Sequence, residues 1–236
     1  MSTGAEPVDD AVAPTRMTRP RSELVPIRGW AKALYAAFRV VATAVARVMW
    51  RFEVNGRDRL PTVGPYVLAP VHRSNLDFLL AGLAVPRRMR FMTKDTIWRA
   101  PRFGRFIESV GAFPVDRQNP DRGALRKAEA SVANGEPVVM FPEGTRREGP
   151  AVTGLFDGPA WVACRQRVPI VPMAIGGADR AMPIGSKMIR LSKVRVVIGE
   201  PIYPDVPLTG RIPRRVVSEV TEQLNKELQA LYDEVR

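Results

Sequence analysis

His72 is the only histidine in a chain of 236 residues, and Asp77 follows it five positions later in the segment Val71-His72-Arg73-Ser74-Asn75-Leu76-Asp77. Histidine titrates near neutrality, so it can take and return a proton without elaborate tuning. A carboxylate that held one ring nitrogen would leave the other free as a base. On a continuous helix, a spacing of five would turn the two side chains about 140° apart, onto different faces. Ser74-x-x-Asp77 has the form of a capping box, however, so the helix is expected to start at Ser74 with His72 in the strand-to-helix turn before it. From there the imidazole can fold back toward Asp77 in the first helical turn. A plainer reading makes Asp77 a helix cap and His72 an ordinary loop residue. The two roles are compatible, since one carboxylate has oxygens for both.

A second polar cluster, Phe141-Pro142-Glu143-Gly144-Thr145-Arg146, also follows an apolar run. Gly144 lets the backbone turn tightly and Pro142 fixes the approach. Turns at the C-terminal edge of a parallel sheet are where α/β proteins bind ligands, so Glu143 and Arg146 are expected to project into a crevice. An internal loop salt bridge is the alternative for the same pair. The arginine fork suits a phosphate, to which it can donate two hydrogen bonds at once. Cys164, on a helical apolar stretch, is expected to pack and not to act as a nucleophile.

These groups need a scaffold. From Glu53 onward, short apolar runs at 66–71, 90–93, 137–141, 169–175 and 194–198 read as strands. They are interspersed with helical patterns at 76–85, 101–110, 125–133, 158–167 and 211–231. This argues for an α/β fold with a mostly parallel central sheet flanked by helices over residues 53–236. Residues 28–52 predict an N-terminal amphipathic helix. Arg28, Lys32, Arg39, Arg47 and Arg51 share one arc, with Trp30, Leu34, Phe38, Val41, Val45, Val48, Met49 and Phe52 gathered opposite. That is the pattern of a membrane-interface helix, although a helix packed on the core shows the same moment. Residues 1–27 carry acids and prolines without an apolar core region, and are expected to form a flexible solvated tail rather than a secretory signal.

The charge balance, 36 basic against 24 acidic residues, gives +12 and favours polyanionic partners such as anionic lipid, phosphorylated small molecules or nucleic acid. Between Arg87 and Arg105 lie seven basic residues and one acid, interleaved with Phe91, Trp98 and Phe103. A basic nucleic-acid-binding module is the non-enzymatic alternative for this stretch. No recognised nucleic-acid motif accompanies it, so a membrane surface is favoured and no nucleic acid is expected. One cysteine and one histidine argue against a zinc site. No run of about 18 uncharged apolar residues is present, which leaves a soluble, peripheral or monotopic protein.

The His72–Asp77 and Glu143–Arg146 motifs together resemble those of the glycerophospholipid acyltransferase family, which carries His-x-x-x-x-Asp and Glu-Gly-Thr-Arg at about this separation. Two further blocks match in order. One runs from Phe91-Met92-Thr93-Lys94 through Gly111-Ala112-Phe113-Pro114-Val115-Asp116-Arg117, and the other is Val168-Pro169-Ile170-Val171-Pro172. The resemblance spans about Glu53 to Pro201 and is closest to the lysophosphatidate (1-acyl-sn-glycerol-3-phosphate) acyltransferases. It implies that His72 is the general base and Asp77 its orienting partner. It further implies that Lys94 and Arg117 hold a phosphate, and that Glu143, Gly144, Thr145 and Arg146 bind the acceptor. The implied reaction moves an acyl chain from acyl-CoA or acyl-carrier protein to the free hydroxyl of a lysophospholipid acceptor, forming phosphatidic acid. It needs no cofactor or metal and places the protein on the cytoplasmic face of a membrane. Glycerol 3-phosphate or another lysophospholipid is the alternative acceptor. Val71 stands where many lysophosphatidate acyltransferases have Asn, and Arg73 is more similar to the glycerol-3-phosphate branch. Phe156 and Asp157 stand where the family often has lysine.

Overall fold

The computed structural model describes residues 29–94, 112–115, 122–207 and 209–236. The tail at 1–27, the helix expected at 101–110 and Arg117 lie outside them. At the centre is a seven-stranded sheet. Its strands are β1 (Glu53–Asn55), β2 (Val67–Pro70), β3 (Arg90–Lys94), β4 (Ala112–Val115), β5 (Val138–Val139), β6 (Ile170–Gly176) and β7 (Arg195–Ile198). They lie in the order β1-β7-β6-β2-β5-β3-β4. Every neighbouring pair is parallel except β6 with β7. The mostly parallel α/β architecture expected from the alternating runs is therefore present. Strands β2 and β6 are buried along their whole length, which is why both read as unbroken apolar runs instead of alternating ones.

Two edge strands escaped the sequence pattern. β1 has three residues with exposed Glu53 and Asn55 at its ends, and β4 contains Pro114. Short polar edges and proline are how sheets end, and neither leaves an apolar signature.

Helices α3 (Arg122–Ala133), α4 (Gly158–Gln166) and α6 (Arg214–Val235) pack in a row against the sheet, and α5 (Ala178–Ala181) is one short turn between β6 and β7. Helix α6 buries Val217, Val220, Leu224, Leu228 and Leu231, which recur at helical spacing. Helix α2 (Asp77–Ala84) packs near β6 and carries α1 (Gly29–Trp50).

The α1 helix exists, but its faces are arranged differently from the expected cationic and apolar sides. Ala46 and Trp50 are buried and Ala42 and Met49 pack beside them. Arg39 turns inward, donating from Nη1 to Gly82 O and from Nη2 to Val85 O, both at 2.7 Å. Arg57 adds a bond from Nε to Ala84 O at 2.9 Å. Two guanidinium groups thus satisfy the orphan carbonyls at the C-terminus of α2 and complement its negative end. The outward face of α1 carries Val40, Val41, Val45 and Val48 beside exposed Arg47. Helical periodicity found the helix, but it could not tell which apolar stripe the core would take.

The basic stretch beginning at Arg87 also dissolves where it is described. Arg87 donates to Gly64 O, while Arg90 is buried and grips Glu136 through Nε at 2.6 Å and Nη2 at 2.9 Å. Its remainder, 95–105, lies outside the described residues.

Candidate active site

Strands β2 and β5 are parallel neighbours, with Val67 opposite Val138 and Leu68 opposite Val139. The turns that follow them therefore emerge side by side at one edge of the sheet. This topology brings His72 and Glu143 together across 71 positions of sequence.

The helix is slightly shorter than the capping box suggested. It begins at Asp77, with Ser74 to Leu76 forming the preceding turn. Half of the box forms: the Ser74 N–H donates to Asp77 Oδ2 at 2.7 Å. The Ser74 hydroxyl is used elsewhere, accepting from Leu76 N at 3.2 Å and donating to Met182 O at 2.7 Å.

Asp77 Oδ2 also accepts the Arg73 N–H at 2.6 Å and lies 2.9 Å from His72 Nδ1. Capping and orienting are thus performed by one oxygen. Oδ1 is buried without a hydrogen-bond partner among the described residues. Because two backbone N–H groups already donate to Oδ2, the carboxylate is held as an acceptor, and an acceptor facing Nδ1 places the proton on that nitrogen. Nε2 is left with its lone pair, as a base requires. Burial pushes the Asp77 carboxyl above the ordinary carboxylate range, and the His72 bond and the Ser74 and Arg73 N–H groups pull partly back. The His72 ring is wedged between Phe141, at 4.1 Å between centroids, and the edge of Phe78 at 5.4 Å. These two rings restrict it to the plane in which Nδ1 meets Asp77.

Glu143 is placed differently from a residue projecting into a crevice. It is fully buried, with Oε2 accepting the His72 N–H at 2.7 Å and Oε1 paired with Arg73 Nη1 at 2.5 Å. Arg73, also buried, donates from Nη1 to His72 O and from Nη2 to Ala151 O, both at 3.1 Å, and lies over the Tyr232 ring of α6 at 4.9 Å. The pair is the internal salt bridge that the sequence left open as the alternative, although with Arg73 and not Arg146 as its cation.

Gly144 turns the chain with φ +66°, and a Cβ there would meet the Phe156 ring at 2.7 Å. Thr145 is exposed. Arg146, half exposed, donates from Nη1 to Asn75 Oδ1 at 2.7 Å, which brings a cation to the loop that bears His72. Lys94 ends β3, the strand next to β5, and Arg117 lies outside the described residues. Arg73, Asn75, Phe78 and Tyr232 were not singled out as site-builders. A buried arginine and an arginine on the surface look alike in sequence, and only the pairing of distant turns separates them. Cys164 is buried and its thiol is pushed up to about 11 by that burial, as suits a packing residue.

The sequence profile of the Acyltransferase family matches residues 51–176, just over half of the chain. The chain is 27% identical over 180 residues to a 1-acyl-sn-glycerol-3-phosphate acyltransferase of Bacillus subtilis, covering 76% of this chain and 87% of that one. It is 32% identical over 162 residues to the chloroplastic enzyme BAT2 of Brassica napus, covering 65% of this chain and 46% of that longer one. In fold it is similar to the crystal structure of the 1-acyl-sn-glycerophosphate acyltransferase PlsC of Thermotoga maritima, with a TM-score of 0.67, 24% identity and coverage of 85% and 81%. The matched segment contains His72, Asp77 and the Glu143–Arg146 turn, and on this ground the chain belongs to the Acyltransferase family.

Proposed function

We propose that this chain transfers a fatty acyl group from an acyl thioester, carried on CoA or acyl-carrier protein, to the free hydroxyl of 1-acylglycerol 3-phosphate, giving phosphatidic acid. The observation that carries the reading is the 2.9 Å contact between His72 Nδ1 and Asp77 Oδ2, which leaves Nε2 as the base. Nε2 takes the proton of the acceptor hydroxyl as its oxygen attacks the thioester carbonyl. The tetrahedral intermediate collapses, the C–S bond breaks, and the departing sulfur takes the proton back from the imidazolium. Asp77 stabilises that imidazolium during the interval. No acyl-enzyme forms, in keeping with the burial of Cys164. The chemistry calls for no metal. Arg146, with Lys94 and Arg117, supplies cations for the acceptor phosphate.

The protein acts on a membrane surface. Among the described residues no helix is long and apolar enough to cross a bilayer, while the outward valines of α1 suit an interfacial position. The names of the relatives favour lysophosphatidate as acceptor. Arg73, whose type suggested glycerol 3-phosphate, is spent on Glu143 and does not favour that acceptor. The test is transfer from one labelled acyl-CoA to lysophosphatidate, glycerol 3-phosphate and other lysophospholipids in parallel. Lysophosphatidate is expected to give the highest kcat/KM, and His72→Ala is expected to lower turnover by roughly 10²–10⁴-fold. Undiminished transfer by His72→Ala would remove the mechanism.

A further inference from the structure

A cavity of about 860 Å³ lies between the length of α4 and the N-terminal parts of α3 and α6, and is lined by none of the motif residues His72, Asp77 or Glu143 to Arg146. Its volume is in the range of small-molecule sites, roughly 300–1,000 Å³, and much more than a single phosphate fills. Four arginines line it: Arg126 from α3, Arg165 from α4, Arg211 from the preceding loop and Arg214 from the first turn of α6. All four are exposed, and none of their guanidinium groups has a hydrogen bond or ion pair among the described residues.

The two acids of the lining are already engaged. Glu129 accepts the Trp161 indole N–H at 3.0 Å, and Asp157 accepts the Thr221 hydroxyl at 2.8 Å. These neutral donors leave both carboxylates charged, so four arginines against two acids give the lining a net positive charge around an indole that is held in place.

Backbone polarity adds to it. Helix α6 opens at Arg214, and its N-terminus has no side-chain cap. The first turn of α6 carries no acid and instead bears Arg214 and Arg215, cations at the positive end of a helix dipole. An anion would relieve that arrangement, accepting from guanidinium forks and free N–H groups together.

We propose that this cavity binds a nucleotide-sized polyphosphate, with its phosphates on Arg165, Arg211 and Arg214 and its base against Trp161. Such a group comes from two sources, free nucleoside diphosphates or the 3′-phospho-ADP end of a CoA thioester. The cavity is joined to the motif turn by one residue: Phe156, next in sequence to Asp157, packs on Gly144.

Calorimetric titration of the full chain with ADP and with adenosine 3′,5′-bisphosphate tests the assignment. Binding is expected at low salt, weakened by high salt, and lowered by about tenfold or more in Arg165→Ala/Arg214→Ala, whose replaced side chains hold nothing in the fold. Arg211→Ala is expected to act in the same direction. His72→Ala is expected to bind as the unsubstituted protein does, which separates this site from acyl transfer. Preference for the bisphosphate identifies the CoA end, and equal or better binding of ADP identifies a free nucleotide. Absence of binding by both probes, or binding unchanged in the arginine variants, overturns the proposal.

Discussion

The Glu143 carboxylate accepts the backbone N–H of His72 at 2.7 Å through Oε2 while Oε1 holds the guanidinium of Arg73, so one buried group fixes the turn that bears His72. Breaking such a pair leaves an uncompensated buried charge. Glu143→Ala is therefore expected to lose about 3–5 kcal/mol of stability, measured by denaturant unfolding. Replacing both partners with apolar residues of similar volume should cost less than the sum of the single changes, because neither charge is then stranded. Glu143→Gln keeps an acceptor for the His72 N–H and is expected to lower kcat while leaving KM for the acceptor nearly unchanged. A rise in KM alone would instead put Glu143 in contact with the acceptor.

The buried charge of Asp77 carries a cost in stability. Its folded carboxyl titrates above the unfolded one because burial opposes the charge. An acid raised in this way stabilises the fold at pH below its unfolded value, and that contribution is lost as pH rises through the folded one. Asp77→Asn removes the buried charge yet keeps an oxygen for the Arg73 and Ser74 N–H groups. The variant is expected to unfold at pH 7 no more easily than the unsubstituted protein, with the difference shrinking on acidification. Turnover should fall by roughly 10²–10⁴-fold, since the imidazolium loses its counter-charge. Full turnover in Asp77→Asn would show that orientation alone suffices.

Several features were legible in sequence for a physical reason. Strands β2 and β6 are buried on both faces, so composition alone announced them, and the spacing of His72, Ser74 and Asp77 encodes a local turn. What remained hidden was long-range. Nothing near Arg73 says that its partner is Glu143, because that pairing depends on β2 and β5 becoming neighbours. The same holds for Arg39, whose type suggested a solvated or membrane-facing cation. Its partners are the α2 carbonyls of Gly82 and Val85, more than forty positions away. Backbone acceptors have no sequence signature at all.

Gly144 is a steric as well as a conformational requirement. At φ +66° a side chain is strained by about 1–2 kcal/mol, and here its Cβ would also enter the Phe156 ring. Gly144→Ala is expected to lower the melting temperature and to shift the Arg146 guanidinium away from Asn75, raising KM for the phosphate-bearing acceptor. Phe156→Ala in the same background removes the collision and should recover part of the stability but not the φ strain. Recovery of neither would mean that the turn is set elsewhere.

The outer face of α1 bears on where the enzyme works. Val40, Val41 and Val48 are 70%, 62% and 82% exposed, an arrangement that leaves β-branched side chains in water unless something covers them. Exposed Arg47 and Arg51 lie at the same end of the helix, where cations would reach anionic headgroups if the valines entered the acyl boundary of a membrane. The opposite face is committed to the protein through Trp50, Ala46 and Arg39, so on the proposed membrane reading α1 would meet a bilayer lying on its side. Val41→Asp/Val48→Asp is expected to reduce co-sedimentation with phosphatidylglycerol vesicles by about tenfold or more, since each change puts a charge where apolar contact was gained. Turnover of a short-chain, micelle-free acceptor should be unchanged, because both valine side chains are exposed. Vesicle binding that survived the double change would move the membrane contact to another surface of the molecule, and loss of soluble turnover would show that the valines support the fold instead.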